Sequence, residues 1–112
     1  MPTVSTFAPA AILGKDGDGN DILGLDKTHN SPTTTLMTGT GFASQDAVNV
    51  TCGAITWAGN LNVESSERGS VSLTCSNPPG PSRFGEPESV SVTVGDSLGA
   101  VFIVPVGTPP TD

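Results

Sequence analysis

Tyrosine is absent from the 112 residues, and the aromatic set is one tryptophan and four phenylalanines. So thin a supply excludes a core built on stacked rings and leaves little for a sugar-stacking platform. Positive charge is equally scarce. Lys15, Lys27, Arg68 and Arg83 are all of it, against eleven acidic residues, for a net charge of −7. No basic patch is available to neutralise a phosphate backbone, which excludes nucleic-acid binding and disfavours anionic membrane surfaces. Such acidity suits solubility, or a complementary basic surface on a protein partner. No run is long enough to span a membrane as a helix; the longest apolar stretch, Ala100 to Val106, is strand-sized. Met1-Pro2-Thr3-Val4 has neither a basic segment nor a sustained apolar one, so it is no secretory signal and synthesis in a cytoplasm is expected.

Catalytic and cofactor motifs are missing as well. There is no nucleophile elbow, phosphate-binding loop, dinucleotide fingerprint or zinc spacing. The chain reads as a non-enzyme without a cofactor. Glu86 and Glu88 imitate a glycosidase pair only in spacing; they sit beside Pro87 with no aromatic platform, as a solvated face would. His29 is the one histidine and has no Ser, Cys or carboxylate constellation around it. Cys52 and Cys75 each end a strand-like run. They are candidates for one disulfide, worth ~3 kcal/mol for a loop of that length in the chain-entropy model. The alternative is a pair of reduced, buried thiols acting as small hydrophobes.

What the chain does have is Val, Ser and Thr in short alternating runs, punctuated by fourteen glycines and ten prolines. That pattern predicts an all-β fold with almost no helix and one modest core. Residues 1–10 show no apolar period, and Pro2 and Pro9 keep them extended, so they read as an arm. Ile12-Leu13 and Ile22-Leu23 then flank Asp16-Gly17-Asp18-Gly19-Asn20-Asp21, which predicts a β-hairpin with a Gly-rich turn. Asp16, Asp18 and Asn20 alternate as calcium ligands do, but Asp21 stands where an EF-hand loop needs Gly and Lys27 where it needs Glu, leaving at most a weak cation site.

A polar link leads to Pro32, and a sandwich is expected over 33–106. Its strands are Thr33 to Met37, a run with Val48, Val50 and Cys52 inward, Ala54 to Trp57, Asn60 to Val63, a run with Val71, Leu73 and Cys75 inward, Val90 to Val94, and Ala100 to Val106. Gly39-Thr40-Gly41 is expected to turn the chain sharply. Trp57 is either core or a surface anchor. Ala100 to Val106 is apolar on both faces, as in a strand covered on both sides or lying at an interface. Arg83 and Phe84, in the Pro-rich loop Asn77 to Glu88, form a candidate partner contact or a cap on the sandwich. Residues 107–112 read as an extended tail.

From Leu36 to Val104 the order of signals resembles the IPT/TIG branch of immunoglobulin-like domains. The resemblance is carried by Gly39-Thr40-Gly41-Phe42, by Leu73-Thr74-Cys75-Ser76-Asn77-Pro78-Pro79-Gly80, by Val90 to Val94 and by Val101 to Val104. The chain departs from that family in the longer loop at Arg83 to Glu88, and it lacks the Cys–Trp–Cys spacing of antibody domains. The resemblance implies an immunoglobulin-like β-sandwich preceded by an arm and hairpin. A short sandwich with an extended arm and no export signal also resembles the small decoration (cement) proteins of tailed-phage capsids. That implies a structural virion protein made in the host cytoplasm and held on the outer capsid surface, with the major capsid protein as partner and a homotrimer or other homo-oligomer as its state. Val4, Phe7, Ile12, Leu13, Ile22, Leu23, Arg83 and Phe84 are then the candidate contact residues, gripping by β-augmentation. The alternative is a module that binds a glycan or receptor.

Overall fold

The computed structural model describes residues 2–26, 33–75, 86–95 and 97–107. These form nine strands: β1 (Thr3–Pro9), β2 (Ala11–Lys15), β3 (Asp21–Asp26), β4 (Thr33–Thr40), β5 (Ala47–Cys52), β6 (Ile55–Ser65), β7 (Arg68–Cys75), β8 (Glu86–Val94) and β9 (Ser97–Gly107). No helix occurs among the described residues. The strands follow one hydrogen-bonded order, β1-β4-β7-β6-β5-β8-β9-β3-β2. Every pairing is antiparallel except β3 with β9, where Leu25 faces Val106 and Asp26 faces Gly107 in parallel.

The two ends of that order are joined by a single residue, Ala10, which separates β1 from β2. Across the gap β1 packs against β9 and β3, so the sheet curls into a nearly closed barrel. The Phe7 ring of β1 stacks on Phe102 of β9 across the seam, with centroids 5.8 Å apart. Residues 3–9 are therefore a stave of the barrel, where an arm was expected. Outside, the hydroxyls of Thr3 and Thr40 meet at 2.5 Å and those of Thr6 and Thr38 at 2.6 Å, which rivets β1 to β4. Inside, Val4 and Phe7 are buried.

Alternation builds the wall elsewhere. Val48, Val50 and Cys52 of β5, Val71, Leu73 and Cys75 of β7, and Val90, Val92 and Val94 of β8 all point inward, with Ser, Thr and Asn opposite. The residues expected as two strands around Trp57 and Leu61 are one long strand, β6, because Ala58-Gly59 continues the ladder and makes no turn. Gly39 and Thr40 likewise remain in β4, and only Gly41, at φ 71°, turns the chain. Gly39 is needed for a different reason: a Cβ there would collide with the Thr3 carbonyl. Gly24 plays the same part where β3 meets β9, against the Pro105 carbonyl.

At the centre lies Trp57, with no exposed surface. Its indole Nε1 donates to the Asp26 carbonyl oxygen at 2.8 Å. By strand order β5, β8 and β9 lie between β6 and β3 in one direction round the wall, and β7, β4 and β1 lie between them through the seam in the other. The bond thus crosses the barrel interior. A burial of this size with its one polar atom satisfied is among the larger single contributions open to a small core. Thr35 is the contrary case: fully buried, with its hydroxyl lacking a hydrogen-bond partner.

Two stability outcomes follow. Trp57→Phe removes the cross-barrel bond and leaves a void, and chemical denaturation should show a loss of about 2 to 3 kcal/mol. Thr35→Val keeps the shape and removes a stranded hydroxyl, and the same measurement should show a gain of up to about 1 kcal/mol.

Candidate functional site

The contact residues expected from sequence are separated by the fold. Val4 and Phe7 belong to the barrel's core, and Leu13 is buried over Gly24 outside that cluster, so none of the three is offered to a partner. Ile12 and Leu23, by contrast, sit opposite one another in the β2–β3 ladder and are about half exposed, at 53% and 48%. Ile22 is partly buried. Arg83 and Phe84 lie outside the described residues, as do His29, Lys27 and the tail from residue 108. Trp57 is core and supplies no surface anchor.

The hairpin turn has a local logic. One Asp16 carboxylate oxygen, Oδ1, accepts from the backbone N–H groups of Asp18 and Asn20, both at 2.9 Å. The Asp16 N–H donates to the Asn20 carbonyl at 2.9 Å, and Gly19 takes φ 84°. Asp16 is thus a turn builder, which explains the Asp-Gly-Asp-Gly-Asn run without a cation. Among the described residues no group of three His, Cys, Asp or Glu side chains is gathered to hold a metal ion. Lys15 pairs with Asp21 at 2.7 Å across the ends of the two strands, with both side chains exposed. An exposed pair of this kind contributes little to stability.

Cys52 and Cys75 are buried thiols on one continuous wall. They lie on either side of β6, since Trp57 is paired with both Val50 and Cys75, and Cys52 is two residues beyond Val50. Two strand spacings and a two-residue offset put their Cα atoms roughly 12 Å apart. A disulfide needs less than about 7 Å. The Cys52 thiol instead lies 3.6 Å from the Glu88 carboxylate, as a weak donor to it. That contact also places Glu88 in a structural role.

Three exposed apolar residues were not singled out as contacts: Leu36 on β4 at 58%, and Val101 and Ile103 on β9 at 59% and 68%. The signal for the β9 pair was there in the two-sided apolar character of Ala100 to Val106. Val101 and Ile103 pair with Ser91 and Ser89 of β8, so their surroundings on that side are small and uncharged.

The described surface also has a concave region. One open hollow of about 630 Å³ is lined by Ser5, Thr38, Gly39, Thr40, Glu64, Ser65, Glu67 and Arg68. A smaller one of about 310 Å³ shares Thr38, Glu64 and Arg68 with it and is floored by Leu36, Met37 and Gly69. Strand ends from β4, β6 and β7 converge there with the start of β1. The 66–67 turn is held by bonds from Gly39 N–H to the Glu67 carbonyl and from Phe42 N–H to the Ser66 carbonyl, both 2.9 Å.

The thiol geometry has a direct check. Mild oxidation of the folded chain should form no intramolecular bridge between Cys52 and Cys75, and thiol reagent should label both quickly only after denaturation, read by intact mass. No family model, curated protein or solved structure matches this chain.

Proposed function

We propose that this chain is a non-enzymatic structural module that docks on a larger protein assembly, and that the assembly is the outer surface of a phage capsid. The observation that carries the reading is the distribution of exposed apolar side chains. Most of the outer wall is Ser, Thr, Asn and Ala, whereas Ile12 with Leu23 on the hairpin and Val101 with Ile103 on β9 stand out in solvent as pairs, and Leu36 stands out singly on β4. Exposed apolar residues grouped in this way mark interaction surfaces. A chain of charge −7 fits a partner with a neutral or basic docking surface.

The immunoglobulin-like relation belongs to this proposal, and strand order supports it. Taken as strands A to G, the series β1, β4, β5, β6, β7, β8, β9 is laid out A-B-E-D-C-F-G, the Greek-key order of an ABED sheet and a CFG sheet joined through the C and D strands. The β2–β3 hairpin is an insertion between the first two of these. Attachment then falls to the hairpin and to β9 and leaves the first strand in the barrel. The capsid reading rests on the resemblance to decoration proteins, as does a homotrimer or other homo-oligomer.

The test is co-sedimentation of the purified chain with assembled capsid shells. Wild-type protein should travel with the shells. A double variant, Ile12→Asp with Leu23→Asp, should lose at least about tenfold in apparent affinity while keeping its circular dichroism spectrum. Wild-type protein that stays in the supernatant, or a double variant that binds as well as wild type, overturns the reading.

A further inference from the structure

We propose that the hollow around Arg68 is a binding site for a neutral, N-acetylated sugar unit. The site is made by two irregularities in the ladder. Pairing of β1 with β4 slips between Val4 and Thr6, and pairing of β6 with β7 slips between Val63 and Ser65. The extra residues at these bulges are Ser5 and Glu64, and both line the same hollow. Bulges re-aim side chains and recur at barrel rims and beside functional sites. Two of them, in strands that are not neighbours, aimed into one hollow are more than a random lapse of register requires.

The chemistry of the lining selects the ligand. Ser5, Thr38, Thr40 and Ser65 carry hydroxyls that both donate and accept, although the Ser65 oxygen also accepts from the Glu67 N–H at 3.2 Å and the Thr38 and Thr40 oxygens are shared with β1. Glu64 and Glu67 are acceptors suited to the paired hydroxyls of a sugar ring. Arg68 is the one described arginine, and among the described residues it enters no ion pair, although both glutamates share its hollow. Its guanidinium is therefore a donor on offer, matched by the carbonyl oxygen of an acetamido group. The adjoining compartment over Leu36, Met37 and Gly69 takes the acetamido methyl. Two carboxylates against one guanidinium leave the site negative, which disfavours a carboxylated sugar. With no aromatic ring in the lining, the affinity belongs in about the millimolar range.

This site uses β1, β4, β6 and β7, whereas capsid docking uses β2, β3 and β9, so the two readings fail separately. The experiment is an NMR titration of the full chain with N-acetylglucosamine, with glucose and glucuronate as comparators. Amide shifts at Gly39, Thr40, Ser65 and Arg68 should move and saturate with N-acetylglucosamine, and glucose and glucuronate should bind about tenfold more weakly. Arg68→Met and Glu64→Gln, both at exposed positions, should each weaken binding about tenfold with the rest of the spectrum unchanged. Absence of saturable shifts in the hollow, wild-type affinity in either variant, or binding of glucose or glucuronate as tight as that of N-acetylglucosamine overturns the proposal.

Discussion

One buried hydrogen bond organises this molecule: the indole of Trp57 reaching the main-chain oxygen of Asp26. A closed wall of valines has no inherent diameter, since β-branched side chains fill space without choosing a partner across it. A single large ring anchored at both ends sets that diameter. It also ties the hairpin, otherwise attached to β9 through a short parallel pairing, to the middle of the sheet. Leu25, next to the bonded residue, is fully buried, so the anchor and the packing act at the same place.

The wall shows what a sequence discloses and what it conceals. Strands β5, β7 and β8 were legible because their inward residues recur at every second position. Strand β1 was not, although it is as well packed. Its bulge leaves Ser5 out of register, so the inward residues are Val4, Phe7 and Pro9, spaced by three and then two. No period survives that spacing. The same holds at β2, where a slip between Ile12 and Gly14 buries Leu13 and leaves Ile12 outside. Closure of the barrel had no local signal either, because it depends on edges far apart in sequence meeting side by side.

Function was harder still to read. The hairpin was visible as a turn, and the two-sided apolar character of β9 was visible as a choice between cover and interface. Which side chains of the hairpin stay outside was decided by the bulge. The hollow around Arg68 could not be seen at all: it combines ends of four strands with two irregularities, none of which marks the sequence. Glycine was misleading for a related reason. Gly39 looked like a turn, yet its role is to let a neighbouring strand's carbonyl come close.

The one-residue link at Ala10 has a consequence for how the molecule is made. The strand before it must lie between β4 and the seam with β9, yet it leaves the ribosome well before either. Until β9 is synthesised, Val4 and Phe7 have only part of their pocket. Non-local pairing of this kind is slow, so β1, made before both of its neighbours, is among the last strands to settle, and the half-built wall carries an exposed apolar edge for the whole interval.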